Sequence, residues 1–265
     1  VIRMAHRQVS AGYVMSSALV TGASSGIGLE IAKILSKDVD RLVITGRRKN
    51  LLDELADALS EHTEVEVVVA DLSTPSEVER LISVAGDVDI LVNNAGYGLY
   101  GKMMEQDSSK MLGIIDVNIR ALTSLGHHYA SSMQSRGKGR ILNVASIAAF
   151  QPGPGMAVYC ASKAFVLSLS RAMSAELKRT GVTVTALCPG YVETGFQRVS
   201  GMRLTGVEIW SSLPVDKVAK IAVRAMRKGR REVIPGFVNW WVPILGRVLP
   251  ISIQLWIVRA SLMMR

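Results

Sequence analysis

A short apolar run that meets a glycine-rich turn decides the fold, and it reads Ala18-Leu19-Val20-Thr21-Gly22-Ala23-Ser24-Ser25-Gly26-Ile27-Gly28. A helical pattern over residues 27–36 follows the turn directly. Glycines permit a tight turn whose backbone N–H groups can approach a pyrophosphate, and the positive end of the helix dipole adds attraction. The spacing Gly-x-x-x-Gly-x-Gly differs from the usual dinucleotide fingerprint, and such a turn could merely cap the helix. Its place between the first strand and the first helix favours dinucleotide binding through Gly22, Ser24, Ser25, Gly26, Ile27 and Gly28.

On the C-terminal side of this turn, the chain alternates short β-branched runs with longer helical patterns. The predicted strands are 18–20, 41–45, 64–70, 89–92, 140–144, 183–187 and 232–234, and the predicted helices are 27–36, 51–60, 77–84, 109–135, 158–179 and 215–228. The strands are almost continuously apolar, as expected when helices cover both faces of a sheet. The pattern predicts a single α/β domain, a Rossmann-type doubly wound parallel sheet with ligands at the carboxyl ends of its strands.

The chain divides into three parts by composition. Residues 1–14 lack the apolar core of a signal peptide, so we predict a poorly ordered extension before a natural start close to Met15. We predict that residues 15–236 form the nucleotide-binding catalytic domain and that residues 237–265 form a hydrophobic C-terminal segment. Within the domain, residues 190–213 follow a strand end and are rich in Gly, Ser and Thr, which predicts a substrate lid; the alternative is an ordinary surface loop.

Charge and cysteine usage narrow the class of protein. The 265 residues carry a net charge of +9, which suits an anionic membrane surface or a phosphorylated ligand, and nucleic-acid motifs are absent. Two cysteines cannot build a disulfide framework, so we expect reduced thiols and a cytoplasmic location. The four histidines have no metal-ligand spacing with those cysteines, and we predict no metal site.

The end of the second predicted strand bears on which dinucleotide binds. A site for NAD usually places an acidic residue there, whereas arginine suits the 2′-phosphate of NADP. The strand ends in Arg47 and Arg48 with no acid, which favours NADP; the alternative is that both arginines only solvate a helix start. Asp71 and Leu72 follow the third strand, where a carboxylate could accept a hydrogen bond from the adenine amino group or signal the start of a helix.

Tyr159 and Lys163 are four residues apart in a predicted helix, so their side chains share one face. An unperturbed phenol has a pKa of about 10. A neighbouring ammonium, together with the positive nicotinamide of an oxidised cofactor, would lower that pKa toward the working pH and make the tyrosine an acid–base catalyst. Ser146 follows the strand that precedes this helix, where its hydroxyl can face a carbonyl oxygen. Alone, the Tyr-x-x-x-Lys spacing occurs by chance in many chains, and Ser146 could be a turn or cap serine.

Taken in order, these motifs resemble the short-chain dehydrogenase/reductase family over about residues 16–200. They are Thr21-Gly22-x-x-x-Gly26-x-Gly28, Asn93-Asn94-Ala95-Gly96, Asn118, Ser146, Tyr159-x-x-x-Lys163, and Pro189-Gly190 followed by Thr194. Each motif is weak alone, but together and in this order they are specific. Two further segments, Gly96-Tyr97-Gly98 and Gln151-Pro152-Gly153-Pro154-Gly155, are similar to sequences in the branch of the family that includes 3-oxoacyl and hydroxysteroid reductases.

The resemblance implies a role for each matching residue. Tyr159 would be the general acid–base and Ser146 would hold the substrate oxygen. Lys163 would lower the tyrosine pKa and bind the nicotinamide ribose, and Asn118 would support a water-mediated proton relay to it. The implied cofactor contacts are Asn94, Ala95 and Gly96 at the adenosine ribose, and Pro189, Gly190, Val192 and Thr194 around the nicotinamide. Family members of this kind commonly form dimers or tetramers through helices that correspond to residues 109–135 and 158–179.

Two further signals concern cofactor strictness and substrate. Many NADP-dependent members carry a second basic residue immediately before Gly26, but here that position is Ser25, so NADPH is preferred and NAD stays acceptable. The predicted lid contains several apolar residues, which are Met202, Leu204, Val207, Ile209 and Trp210. They suggest a hydrophobic carbonyl or alcohol substrate, such as a fatty-acyl, steroid-like or retinoid-like compound. The alternative is that they only pack a helix. The alternative function is a non-catalytic NADP-binding regulator or a membrane-docked scaffold.

The hydrophobic C-terminal segment has its own set of alternatives. Pro243, Arg247 and Pro250 interrupt it, which argues against a helix that spans a bilayer. Tryptophans with flanking arginines suit peripheral contact with a membrane through residues 237–264. The other interpretation is a tail that packs on a partner subunit or over the substrate pocket.

Overall fold

The computed structural model describes residues 16–192, 200–201 and 212–263. Their centre is a seven-stranded parallel sheet in the order β3-β2-β1-β4-β5-β6-β7. The strands are β1 Ser17–Thr21, β2 Arg41–Gly46, β3 Glu64–Val69, β4 Ile90–Asn93, β5 Gly139–Val144, β6 Val182–Leu187 and β7 Glu232–Val233. All seven predicted strands form within two residues of their expected ends, which confirms the parallel α/β fold.

Helices cover both faces of the sheet because side chains alternate along every strand. On one face, Val20 and Ile44 pack against α1 Gly26–Leu35, α2 Lys49–Leu59 and α7 Val215–Arg227. On the other face, Leu19 and Val43 pack against α3 Pro75–Ala85, α5 Leu122–Ser135 and α6 Ala157–Glu176. The sheet is therefore doubly wound, as predicted.

The strand order reverses at β1, which lies between β2 and β4. Val20 aligns with Ile44 on one side and with Val92 on the other. The loops that leave β1 and β4 therefore diverge toward opposite faces, and the crevice between them is where open α/β sheets bind ligands.

The prediction of one continuous α-helix over residues 109–135 is wrong. It consists of α4 Ser108–Ile115, a π-helical turn Asp116–Ala121 and α5. Within the π turn, Asn118 is fully buried and its side chain is hydrogen-bonded to both the N–H and the carbonyl of Tyr97. This side chain anchors the helix to the loop after β4, at the point where the regular winding is interrupted. Such single-turn insertions are frequent at functional sites.

Two helices follow the last strand, α8 Trp241–Val248 and α9 Ile251–Met263, after a 3-10 turn at Val238–Trp240. The break between them falls at Pro250, which cannot continue α8. Gln254 joins the pair, because its Nε2 donates to the carbonyls of Gly246 (3.0 Å) and Leu249 (2.8 Å). Within the described ranges, no helix is long and apolar enough to cross a membrane.

Several predictions lie outside the described residues. They are the extension 1–14 with Met15, most of the lid 190–213, Thr194, and the apolar positions Met202, Leu204, Val207, Ile209 and Trp210.

Candidate active site

A cleft of about 440 Å³ opens at the carboxyl ends of the central strands. Its wall includes these predicted site residues: Gly22, Ser24, Ser25, Gly26, Ile27, Arg47, Arg48, Asp71, Leu72, Asn94, Ala95, Gly96, Ser146, Tyr159, Lys163, Pro189, Gly190 and Val192. Gly28 and Asn118 lie behind this wall, and Thr194 falls outside the described residues. One continuous cleft thus joins the glycine-rich turn to the tyrosine and lysine.

Close packing against the end of β4 explains the glycines of the turn. Gly22 has a φ of +67°, and a Cβ there would lie 2.9 Å from the Cα of Ala95. A Cβ on Gly28 would collide with Nδ2 of Asn94 and with the carbonyl oxygen of Gly22. That Nδ2 donates to the carbonyls of Thr21 (2.9 Å) and Gly22 (3.2 Å), which fixes the turn against the loop after β4.

A cationic side chain and two hydroxyls converge at the mouth of the turn. Nη2 of Arg48 donates to Oγ of Ser24 (2.8 Å) and to Oγ of Ser25 (2.7 Å). The turn leads into α1, whose first N–H groups have no partner within the helix. Guanidinium, hydroxyl and free N–H groups are the donors that phosphate prefers, so this end of the cleft fits a phosphorylated cofactor.

Asp71 borders the same end of the cleft as an ionised carboxylate. Partial burial opposes its ionisation, but hydrogen bonds from the N–H and the hydroxyl of Ser73, together with the charge of Arg47, lower its pKa overall. The carboxylate therefore organises the turn before α3 and lines this end of the cleft.

The catalytic candidates meet at the end of β5. Oγ of Ser146 accepts from the N–H of Ala148 at 3.1 Å and is also hydrogen-bonded to the side chain of Tyr159. Nζ of Lys163 is buried, donates to the carbonyl of Val144 at 2.8 Å and lies 5.9 Å from the centre of the Tyr159 ring. The predicted helical turn between tyrosine and lysine is thus present, with the serine opposite.

The protonation of this group differs from the sequence-based expectation. Burial raises the pKa of Tyr159 above its ordinary value, although the hydrogen bond with Ser146 opposes the rise. Burial also lowers the pKa of Lys163 to about 8. Desolvation of the hydroxyl therefore outweighs the lowering of the tyrosine pKa that the charge of Lys163 predicts. Tyr159 is consequently a neutral phenol near pH 7, which is the form that donates a proton.

Asn118 supports this group from behind the wall. Its Oδ1 accepts from the N–H of Tyr97 at 3.1 Å, and its Nδ2 donates to Oγ of Ser162 at 3.0 Å. A Cβ on Gly96 would lie 2.9 Å from that Oδ1 and 3.4 Å from Nζ of Lys163. The asparagine, the lysine and the loop after β4 are therefore packed into one unit.

The cleft also has lining residues to which sequence reasoning gave no role: Tyr97, Ile147, Ala148, Gln151, Met156, Cys160, Tyr191 and Val258. Several of them lie in or next to motifs quoted above, so their place in the cleft could have been inferred from the family's order. Val258 belongs to α9, 66 positions after Val192, and nothing in its local sequence marks it as a cleft residue.

The loop predicted to hold the nicotinamide is supported by the C-terminal segment. A Cβ on Gly190 would collide with the side chain of Asn239. Asn239 is buried, and its Nδ2 donates to the carbonyl of Pro235 at 2.7 Å. Among the residues that the structure describes, no group of three or more His, Cys, Asp and Glu side chains is arranged to hold a metal ion.

The fold and the cleft are those of a dinucleotide-binding α/β protein, and a tyrosine, a lysine and a serine line the same cleft as the glycine-rich turn. The sequence model of the family described as short chain dehydrogenase matches residues 16–203. The 3-oxoacyl-(acyl-carrier-protein) reductase of Rickettsia prowazekii is 37% identical over 181 residues, which make up 67% of this chain and 73% of the relative. The chain therefore belongs to the short-chain dehydrogenase family of oxidoreductases.

Solved structures agree with this assignment. A short-chain dehydrogenase from Sphingobium yanoikuyae in complex with NADPH has a TM-score of 0.80 and 32% identity, with 88% of this chain and 93% of that chain covered. A 3-ketoacyl-(acyl-carrier-protein) reductase from Brucella melitensis complexed with NADH has a TM-score of 0.71 and 28% identity, with 83% of this chain and 96% of that chain covered.

Proposed function

We propose that this protein reduces a carbonyl on a hydrophobic substrate with NADPH as the preferred cofactor, or oxidises the corresponding alcohol. The carrying observation is the hydrogen-bonded pair of Tyr159 and Ser146 beside the buried Lys163, in the cleft that contains the glycine-rich turn. A purely regulatory protein would have no need of a phenol and a hydroxyl aligned in this way, so the pair favours an enzyme.

In the proposed mechanism, a bound nicotinamide supplies the hydride, and the protein handles the proton. The hydroxyls of Ser146 and Tyr159 hold the substrate oxygen, and Tyr159 donates its proton as negative charge develops there. Lys163 stabilises the resulting phenolate and binds the nicotinamide ribose. Asn118 supports proton return to Lys163 through water, a role that falls to its backbone because its side chain is already bonded to Tyr97 and Ser162.

Cofactor placement follows the residues of the cleft. We assign the pyrophosphate to the turn at 22–28 and the adenosine ribose to Asn94, Ala95 and Gly96. We assign the nicotinamide to the residues after β6, which are Pro189, Gly190, Val192 and Thr194. Arg47 and Arg48 with the hydroxyls of Ser24 and Ser25 support a preference for the 2′-phosphate of NADPH. NAD stays acceptable because Ser25 replaces the second basic residue.

A hydrophobic substrate is favoured by the apolar side chains of Ile147, Met156, Tyr191 and Val258, which line the same cleft as the catalytic pair. The similarity to 3-oxoacyl reductases supports a place in lipid metabolism. The exposed side chains of Leu112 on α4 and Phe165 on α6 support a homodimer or homotetramer formed through these helices. Both cysteines are free thiols, which supports a cytoplasmic location.

The test is a panel of long-chain, steroid-like and retinoid-like ketones and alcohols, assayed with NADPH and NADH in parallel. We expect ketone-dependent oxidation of NADPH with one alcohol formed per NADPH consumed. Absence of turnover with every carbonyl and alcohol would overturn the proposed function. Faster turnover with NADH at matched concentration would overturn the assignment of the arginines.

A further inference from the structure

Eleven of the 17 large hydrophobic side chains that are exposed in the described residues lie on the C-terminal pair of helices and the turn before them. Phe237 is 82% exposed, Val248 is 74% exposed and Trp256 is 71% exposed. On α8, the exposed side chains of Trp241, Leu245 and Val248 follow helical spacing and share one face. We call residues 237–260 the apolar flap.

Helix α9 shows that this surface is not an ordinary amphipathic face. Gln254 and Val258, one turn apart, are buried, while Ile253, Trp256 and Ile257 are exposed on other sides of the helix. A helix that is apolar nearly all round is normally covered, either by protein or by lipid. The outer sides of α9 thus need a partner that the described part of the chain does not supply.

The charge of the flap indicates which partner covers it. Residues 237–265 contain three arginines and no Asp or Glu. Arg247 and Arg259 are exposed between the apolar side chains. A second basic stretch, 224–231, precedes β7, whereas the flap follows β7. The two therefore lie at opposite ends of the strands, the basic stretch at the amino ends and the flap at the carboxyl ends. The flap therefore carries its own positive charge, and tryptophan with arginine on an apolar surface is the composition of segments that lie in a lipid headgroup region.

The dimensions of the flap set how it meets a bilayer. At about 1.5 Å per residue, the 13 residues of α9 extend about 20 Å, less than the ~30 Å of a hydrocarbon core. Pro250 separates α9 from α8, so the two helices cannot merge into a longer span. The flap is suited to lie along the surface with its exposed side chains inserted.

The flap is also part of the cleft wall. Val258 faces the cleft from the buried side of α9, and α8 packs on the 3-10 turn Ile147–Phe150, where Gly246 lies against the carbonyl of Phe150. We infer that the flap docks on an anionic lipid surface and that the cleft takes its carbonyl substrate from the lipid phase. The second half of this inference rests on the proposed reductase function.

The test compares full-length protein with vesicles of phosphatidylcholine alone and of phosphatidylcholine mixed with phosphatidylglycerol. We expect flotation with the mixed vesicles and a blue shift of tryptophan emission, both weakened by salt. Trp240→Ser combined with Trp256→Ser should weaken binding by about tenfold or more, since two large apolar side chains are lost. Arg247→Gln combined with Arg259→Gln should lose the preference for the anionic lipid. The matched control is Met103→Ser combined with Met104→Ser, which removes two exposed apolar side chains elsewhere.

The outcomes separate docking from catalysis. The docking proposal is overturned if the wild type does not bind mixed vesicles, or if the tryptophan and methionine variants bind them equally. It is also overturned if the tryptophan variant loses an oligomer that the wild type forms. That last result would identify a second copy of the chain as the cover. For the substrate, we expect the tryptophan variant to keep turnover of a water-soluble ketone and to lose at least about fivefold on a long-chain ketone held in vesicles. Vesicle binding without carbonyl turnover by the wild type would leave the docking in place and overturn the lipid-phase substrate.

Discussion

Arg48 offers the sharpest test of how the cleft selects its cofactor. Its guanidinium is already held by Ser24 and Ser25, so a 2′-phosphate would meet a preorganised group at the mouth of the glycine-rich turn. A charge-assisted hydrogen bond contributes about 1.5–3 kcal/mol. Because Arg48 is exposed, solvent screening reduces this to about 1–2 kcal/mol, or about fivefold to thirtyfold in affinity.

The perturbation is Arg48→Gln, with Kd for NADPH and NADH measured by quenching of tryptophan fluorescence. We expect the Kd for NADPH to rise about fivefold to thirtyfold and the Kd for NADH to stay within about twofold. The control is Lys49→Gln, which removes a neighbouring charge whose partner is Asp53 on the same helix. Equal weakening of both cofactors, or an equal effect of Lys49→Gln, would refute the assignment of Arg48 to the 2′-phosphate.

Three further predictions concern the turn, the lysine and the core. Gly28→Ala should abolish cofactor binding and lower the free energy of unfolding by about 1–3 kcal/mol, because the new Cβ collides with the Gly22 carbonyl; cofactor titration and denaturant unfolding check this, and unchanged binding would contradict it. Burial lowers the pKa of Lys163 to about 8, so its charge is lost as the pH rises through 8. The kcat/KM for NADPH should fall above that pH, whereas a constant value up to pH 10 would be inconsistent with the buried lysine. Thr185 is fully buried, and its hydroxyl has no hydrogen-bond partner in the described part of the chain. Thr185→Val should therefore raise the free energy of unfolding by about 1 kcal/mol, and thermal unfolding would reveal the opposite sign if the hydroxyl were satisfied.

The sheet could be predicted from the sequence because its determinants are local. Each strand is a short apolar run between turn residues, and the Gly22–Gly28 turn fixes where the first strand ends. The same local logic brought Ser146, Tyr159 and Lys163 to one edge of the sheet. Parallel strands place their carboxyl ends together, so residues that follow the strands become neighbours regardless of their separation in sequence.

The features that were missed depend on distant contacts or on burial. The π turn at Asn118 depends on hydrogen bonds to Tyr97, 21 positions away, and no helical periodicity records them. Val258 reaches the cleft only because α8 and α9 fold back over it. The expected lowering of the Tyr159 pKa rested on the charges of Lys163 and of an oxidised nicotinamide, without burial. Desolvation depends on everything packed around the hydroxyl, and here it dominates.

Tyr159→Phe tests whether Tyr159 protonates the carbonyl oxygen, because it removes the hydroxyl and keeps the ring. The matched control is Tyr129→Phe, which removes the hydroxyl of a buried tyrosine on α5. This tyrosine lies in the core on the face of the sheet that α1 does not cover. The measurement is kcat for a ketone identified by the substrate panel, together with the Kd for NADPH. We expect a loss of about a hundredfold to ten-thousandfold in kcat with an unchanged Kd, and no loss for Tyr129→Phe. A Tyr159→Phe enzyme whose kcat stays within about tenfold of the wild type would contradict it.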